Sequence, residues 1–153
     1  GEVPLKKARL QYQEPLTFQV RRVEICGGWL DFAAILGNGS VVTWGKAHFG
    51  GDSSAVRDQL KNVQQIQATS RAFAAILADG SVVTWGDVNC GGDSSGVRDQ
   101  LKNVQQIQAT SYAFAAVLGA GSVVSWGSAD FGGDSSAVRD QLKNVQQIQA
   151  TCR

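Results

Sequence analysis

Hydrophobic and polar positions follow one pattern that this chain repeats three times. An apolar run meets a short polar turn ending in glycine, and a β-branched run ending in Trp-Gly follows. The copies begin at Phe32, Phe73 and Phe114, a constant spacing of 41 residues. A fixed period between about 20 and 50 residues is the signature of a repeat architecture. The chain is therefore predicted to be a tandem repeat protein.

The centre of each copy predicts a β-hairpin. Asn38 and Asp79 each precede a glycine between two apolar runs. Asn-Gly and Asp-Gly in this setting favour a two-residue turn whose central residues both have positive φ. Ala120 holds the same position in the third copy and is a weaker turn former. The predicted unit is strand, turn, strand, Gly-Gly loop, short helix and strand.

A short helix is predicted after each Gly-Gly loop. In the first copy, Ser53 or Ser54 can cap it by accepting a backbone N–H bond. Val56 and Leu60 are four residues apart and share one face of such a helix. Residues 63–69 then return as a strand whose glutamines indicate a face open to water or polar partners.

Composition and charge narrow the class of protein. The 153 residues suffice for a hydrophobic core, and a net charge of +1 gives no general attraction to nucleic acid. No run approaches the 18 or so apolar residues of a membrane span. Residues 1–22 form a basic arm, interpreted either as edge strands or as the tail of a preceding module. Residues 23–153 hold three repeats and a partial fourth.

Candidate chemistry is sparse. The single histidine, His48, occurs in one copy only, and spacing places no nucleophile or orienting carboxylate beside it. We predict no catalytic site, no metal and no cofactor. The aspartates that precede the serine pairs are interpreted as helix caps rather than as phosphate or calcium ligands, because the P-loop and EF-hand patterns are absent. These aspartates are Asp52, Asp93 and Asp134.

The three cysteines lie at unrelated positions of the repeat, at Cys26, Cys90 and Cys152. A disulfide framework or metal site would recur with the period. They are interpreted as incidental thiols of an intracellular protein in a reducing compartment, which includes organelles such as a plastid.

The motif hydrophobic-Ala-Ala-x-Leu-x-Asp-Gly-x-Val-x-x-Trp-Gly, followed by a Gly-rich loop, Leu-x-x-Val and a strand, resembles the repeat of the regulator of chromosome condensation (RCC-type) family. The resemblance covers residues 23–153. It is closest to the short variants of bacterial and algal multi-repeat proteins, and the block from Val-Arg-Asp-Gln to Gln-Ala-Thr is similar to repeats expanded in dinoflagellates. It implies a β-propeller of four-stranded blades.

Propellers typically need four to eight blades to close. Three units and part of a fourth leave three alternatives: further repeats, association of two copies, or an open array whose edges a partner covers. Each unit contains one tryptophan that is predicted to anchor the core and to need a hydrogen-bond partner for its ring N–H. These residues are Trp44, Trp85 and Trp126.

We expect a non-enzymatic protein–protein interaction module or scaffold, for example an accessory subunit of a larger assembly. The alternatives are a regulatory factor for an enzyme, in small-GTPase nucleotide exchange or ubiquitin-ligase substrate recognition, and a glycan-binding module. The expected partners are proteins, or a second copy that completes the sheet array. No nucleic-acid partner is expected.

The candidate contact residues either differ between otherwise near-identical copies or, as with Trp29, lie outside the repeat register. Drift in loops after recent duplication would explain the same differences. The candidates are Trp29, Lys46, His48, Phe49, Arg71, Asp87, Asn89, Tyr112 and Asp130.

Overall fold

The computed structural model describes residues 24–151. The predicted basic arm and Cys152 lie outside the described residues. Within them, nine strands form three separate antiparallel sheets of three strands, one sheet per repeat and each in sequential order. The predicted all-β repeat is therefore confirmed. Each sheet has three strands rather than the four that the family resemblance implied, and the described array is open rather than a closed ring.

We call the sheets blades 1, 2 and 3. Blade 1 contains β1 (Glu24–Gly27), β2 (Asp31–Ile35) and β3 (Val41–Gly45); blade 2 contains β4 (Val63–Ala68), β5 (Ala72–Leu77) and β6 (Val82–Gly86); blade 3 contains β7 (Val104–Ala109), β8 (Ala113–Leu118) and β9 (Val123–Gly127). One-turn 3₁₀ helices follow the blades, at Ala47–Phe49, Ser54–Val56, Val88–Cys90, Ser95–Val97, Ala129–Phe131 and Ser136–Val138.

The hairpin turns differ from the prediction. Gly39 has φ of 80°, whereas the residue before it has an ordinary negative φ, and the other two copies agree. The Gly39 N–H donates to the Leu36 carbonyl, and the Leu36 N–H donates to the Ser40 carbonyl, both at 2.9 Å. These bonds describe a type I turn followed by a glycine bulge. Only the glycine needs a positive φ, so Ala120 is sterically acceptable in the third copy.

The predicted short helix is a single 3₁₀ turn in each repeat. Asp52 caps it, because its Oδ1 accepts the Ser54 N–H at 2.9 Å. Ser53 makes no capping bond; its Oγ instead lies 3.0 Å from the Thr43 Oγ1. The predicted aspartate caps are thus confirmed, and the predicted Ser53 cap is wrong. The same aspartate bond recurs at Asp93 and Asp134.

The hydrophobic cores lie between blades rather than within them. Alternate residues of a strand face opposite sides of its sheet. We call the side of a blade that carries its Phe–Trp pair the front face, and the opposite side, rich in alanine, the back face. The front face of blade 2 packs on the back face of blade 1, and the front face of blade 3 packs on the back face of blade 2.

The front-face residues repeat with the 41-residue period, and so do the back-face residues. The front faces are Ile25, Phe32, Val42 and Trp44 in blade 1, Ile66, Phe73, Val83 and Trp85 in blade 2, and Ile107, Phe114, Val124 and Trp126 in blade 3. The back faces are Asp31, Ala33 and Ile35, then Ala72, Ala74 and Ile76, then Ala113, Ala115 and Val117.

Two of the three tryptophans anchor these cores. Trp85 is 5% exposed, stacks on Phe73 with ring centroids 5.2 Å apart, and donates its ring N–H to the Gly50 carbonyl at 3.0 Å. Trp126 repeats the arrangement in blade 3. Trp44 is 45% exposed, because no blade of the described residues lies in front of blade 1. The predicted anchor is therefore wrong for Trp44.

Residues 145–151 repeat the sequence of the first strand of blades 2 and 3 but form no strand in the described part of the chain. The Val145 N–H donates to the Gly121 carbonyl at 2.8 Å, as Val104 does to Gly80. The segment therefore begins where a fourth blade would begin. Between residues 24 and 151, no helix is both long and apolar enough to cross a membrane.

Trp85→Phe is expected to lower the free energy of unfolding by about 1–3 kcal/mol, because the buried Gly50 carbonyl loses its donor. Urea unfolding followed by circular dichroism measures the change. Trp29→Phe is the matched control, since Trp29 is largely exposed and is expected to change stability by less than about 0.5 kcal/mol. Equal losses in both variants would contradict the assigned role of the interblade bond.

Candidate functional site

The loops that carry the predicted contact residues lie along one edge of the array, which we call the rim. In each blade, the first residue of the loop after the tryptophan donates its N–H to the turn before the blade's second strand. Lys46 donates to Leu30 at 2.9 Å, and Asp87 donates to Arg71 at 2.8 Å. Ser128 and Tyr112 form the same bond in blade 3. All nine predicted contact residues are on these loops and turns.

Hydrogen bonds between blades hold the rim in register. The Trp29 N–H donates to the Ser70 carbonyl at 3.0 Å, and the Ser70 N–H donates to the Ser111 carbonyl at 2.9 Å. The Ser70 Oγ also donates to the Ser111 carbonyl at 2.6 Å. These bonds fix the turn between the first two strands of blade 1 and of blade 2 to the next blade. Side chains from neighbouring blades therefore meet in a defined geometry.

Four rim residues form a cluster around one guanidinium, which we call the Arg71 cluster: Trp29, Phe49, Arg71 and Asp87. The Arg71 Cζ lies 4.7 Å from the Phe49 ring centroid and 5.8 Å from the Trp29 ring centroid. The Arg71 Nη1 lies 3.9 Å from the Asp87 Oδ2. The structure thus brings together four of the nine predicted contact residues, from two blades.

The Arg71 cluster orients its side chains more than it stabilises the fold. The ion pair is long and partly exposed, and such pairs contribute about 0–1 kcal/mol. Each guanidinium–ring contact contributes about 0.5–1 kcal/mol at an exposed site. The Asp87 Oδ1 also accepts the Asn89 N–H at 2.9 Å, which fixes the carboxylate. The 38% of the Arg71 side chain that is exposed leaves this cation open to a ligand.

A second aromatic contact lies on the same rim in blade 3. The rings of Tyr112 and Phe131 are 4.6 Å apart and tilted by 52°. Tyr112 occupies the repeat position of Arg71, and Phe131 occupies that of Phe49. Phe131 is 51% exposed, and its carbonyl accepts the Thr110 hydroxyl at 3.0 Å. The prediction did not include Phe131, although its exposed position after Trp-Gly marked it as equivalent to Phe49.

The other predicted contact residues stay outside both groups. Lys46, His48, Asn89 and Asp130 lie exposed on the rim, and their side chains form no hydrogen bond or ion pair within residues 24–151. The rim loop of blade 1 carries basic residues, and those of blades 2 and 3 carry aspartate. Arg71 balances the charge of Asp87 on the rim of blade 2, so the rim passes from basic in blade 1 to acidic in blade 3.

Comparison with solved structures identifies the blade. Prp20p of Saccharomyces cerevisiae, studied for its binding to Gsp1p and histones, superposes with a TM-score of 0.54 over 76% of this chain and 33% of its own, at 17% identity. The chain has the blade fold of the RCC1-repeat proteins. Human WBSCR16 matches with a TM-score of 0.49 over 85% of this chain and 38% of its own, at 15% identity.

The RCC-type resemblance is therefore confirmed at the level of fold. No protein-family model and no curated protein matches the sequence. The chain spans about a third of the length of Prp20p. The similarity concerns the fold and the stacking of the blades. It assigns no function to any residue of the rim.

Asp31 is a candidate site residue that the sequence analysis missed. It takes the position of Ala72 and Ala113 in the other RCC1-type blades, is fully buried, and has neither carboxylate oxygen in a hydrogen bond within the described residues. Burial raises the pKa of its carboxyl to about 6. Gly28 makes room for it, since a Cβ there would lie 2.2 Å from the Asp31 Oδ1. Comparing the three copies position by position would have revealed it.

The described thiols are poor nucleophiles. Burial raises the pKa of Cys26 to about 11, with the Glu24 charge adding to the effect, and burial also raises the pKa of Cys90. Both thiols are protonated at neutral pH, and the thiol form reacts weakly. Both are free, and residues 24–151 contain no group of three or more histidine, cysteine or acidic side chains that could hold a metal ion.

Asp31→Ala is expected to stabilise the fold at neutral pH by about 1–3 kcal/mol, because it removes a buried carboxylate that has no hydrogen-bond partner among residues 24–151. The raised pKa of Asp31 determines the direction in which the stability difference changes with pH. Well below pH 3.8 the carboxyl is protonated in both states, whereas between about pH 3.8 and about pH 6 only the unfolded state ionises, so the unchanged chain loses stability as pH rises through this range. The stability gained by the variant should therefore grow as pH rises from 4 to about 7.

Urea unfolding of both proteins at a series of pH values measures this difference. Asp58→Ala is the matched control, because Asp58 is exposed and its removal takes no carboxylate out of the interior. A gain for Asp31→Ala that does not change with pH would show that the pKa of this carboxyl is not raised in the folded state.

Proposed function

We propose that the rim binds a protein partner and that this chain is a non-enzymatic interaction module, serving as an accessory subunit of a larger assembly. The observation that supports this most directly is the Arg71 cluster. Binding energy at protein interfaces is concentrated in a few tryptophan, tyrosine and arginine residues. Trp29, 61% exposed, and Arg71 stand side by side on the rim, with Tyr112 on the next blade.

The contrast between frame and rim supports the same proposal. The front faces and the 3₁₀ caps are nearly the same in every repeat, whereas equivalent rim positions differ. One such position holds Leu30, Arg71 and Tyr112 in the three repeats, and another holds Phe49, Cys90 and Phe131. Backbone bonds fix these loops before any partner arrives. A surface that is already ordered loses less conformational entropy on binding.

The chemistry of the Arg71 cluster indicates what it would contact. The guanidinium between two rings suits a partner carboxylate or main-chain carbonyl, and the exposed Trp29 face suits an apolar side chain beside it. Asp87 holds the guanidinium until that acceptor arrives. We propose Trp29 and Arg71 as the centre of the interface, with Lys46, His48, Asn89 and Asp130 at its margin.

A second candidate is a regulatory factor for a small GTPase. The fold likeness to Prp20p, a protein studied for binding to Gsp1p, is the observation that favours it. A nucleotide-release assay with purified small GTPases distinguishes the two. Acceleration of GDP release would make the chain a regulator, and no acceleration would leave the interaction module as the proposal.

Trp29→Ala and Arg71→Ala are each expected to weaken partner binding at least tenfold, because residues at the centre of an interface typically contribute 2 kcal/mol or more. The partner is first isolated by crosslinking to the purified chain in cell extract. Its affinity is then measured with both proteins pure, by titration calorimetry.

Arg57→Ala is the control, since Arg57 is exposed and lies outside the Arg71 cluster. Circular dichroism confirms that each variant is folded. A partner that binds Trp29→Ala and Arg71→Ala as tightly as the unchanged chain would exclude the rim as its site.

A further inference from the structure

The two ends of the array are complementary. At one end, the front face of blade 1 is exposed, with Phe32 and Trp44 already stacked 5.3 Å apart, as the equivalent pairs are in blades 2 and 3. Ile25 and Val42 of the same face are also exposed. Their equivalents are buried against the preceding blade in both later repeats. Blade 1 therefore presents a preformed docking face with no occupant among the described residues.

At the other end, Gly132 marks the place that such a face would take. A Cβ at Gly50 would lie 2.5 Å from Phe73, and one at Gly91 would lie 2.6 Å from Phe114, but nothing lies within 4 Å at Gly132. The Gly50 and Gly91 carbonyls each accept a tryptophan N–H, whereas no donor reaches the Gly132 carbonyl within residues 24–151. A groove of about 320 Å³ opens here, lined by Phe114, Phe131, Gly132 and Ile148 among others.

Residues 145–151 supply the third element. They are identical in sequence to residues 63–69 and 104–110, which contain the first strands of blades 2 and 3. In those blades Ile66 pairs with Ala75, and Ile107 pairs with Ala116. Residues 145–151 begin with the bond that also opens those two strands, from the Val145 N–H to the Gly121 carbonyl, and lie beside blade 3, where the Ile148 carbonyl accepts the Gln106 side-chain N–H at 3.2 Å. Among residues 24–151, no strand pairs with them.

We propose that the chain associates head to tail with a second copy of itself. Residues 145–151 of one copy pair with β2 of the second copy, placing Ile148 opposite Ala34. The front face of blade 1 of the second copy fills the groove at Gly132, and its Trp44 ring N–H donates to the Gly132 carbonyl. The docked blade thus repeats the two contacts between blades that the chain already contains.

The pairing requires β1 of the second copy to leave β2, because Ile25 now occupies the position opposite Ala34. The sequences favour this exchange. Residues 145–151 carry valine and isoleucine at the positions of Val63 and Ile66, both buried in blade 2. By sequence, the position 41 residues before Val63 holds arginine rather than valine, and a charged side chain is the costlier of the two to bury.

The contact is heterologous, so it either closes into a ring or continues as a filament. Two copies contribute six blades, which lies within the usual range of about four to eight for closed propellers. We therefore expect a closed dimer with two such contacts. In the second contact, residues 145–151 of the second copy pair with β2 of the first copy. This association involves the ends of the array and leaves the rim loops of blade 2 outside the contact.

Sedimentation equilibrium of the 1–153 chain tests the proposal, with twice the mass of the 16.2 kDa chain as the expected result. Trp44→Ala and Ile148→Asp should each weaken association at least tenfold, because they remove an apolar anchor from one side of the contact. Val88→Ala on the rim loop of blade 2, where Val88 is 65% exposed, and Gln146→Asp, an exposed neighbour of Ile148, are matched controls and should leave the dimer intact.

Mixing the two disabled variants distinguishes this geometry from a symmetric contact. The Trp44→Ala variant keeps an unchanged 145–151 segment, and the Ile148→Asp variant keeps an unchanged front face of blade 1. These two parts can still bind each other, so the mixture should form one interface and sediment as a heterodimer. Failure of the mixture to associate would overturn the head-to-tail arrangement. A chain that stays monomeric at about 100 μM, where a micromolar dissociation constant would be saturated, would overturn the proposal as a whole.

Discussion

The contact between a tryptophan and the glycine of the preceding blade is the interaction on which this structure depends. Trp85 packs against Phe73 and reaches across to the Gly50 carbonyl. Gly50 has φ of 118°, and a side chain on it would collide with the Phe73 ring. Each sheet has only three strands and buries little within itself. Stability therefore comes from stacking, in which each core is shared by two neighbouring blades.

Because the blades depend on stacking, the residues between blades are nearly alike in the three repeats, whereas the residues on the rim differ in their chemistry. Residues in the cores between blades cannot change without disturbing two blades, so the three copies keep them nearly alike. The rim loops are held mainly by backbone bonds that recur in every repeat, whatever side chain stands at the variable positions. Arg71 and Tyr112 can therefore occupy equivalent positions and make different contacts. Asp31 is the exception, a charged group placed in a back face that otherwise carries alanine.

Local sequence patterns predicted the blades but not every detail within them. The 41-residue period and the alternation of apolar residues were enough for the all-β repeat. The turn type was wrong because Asn-Gly is compatible with more than one hairpin turn, and backbone hydrogen bonds decide between them. Ser53 was wrong as a cap because Thr43, ten residues earlier, holds its hydroxyl. Local propensity carries no information about that cross-loop contact.

The sequence by itself determined the repeat, its strands, the aspartate caps and the nine variable positions that could bear a function, because these follow from local chemistry and from comparison of the copies. Only the tertiary structure decided which of them meet. Trp29 and Arg71 are 42 positions apart in the chain, and the bond between Trp29 and Ser70 brings them together. Stacking also decided that Trp44, with the same local sequence as Trp85, is exposed, since burial depends on a neighbouring blade rather than on the residue itself.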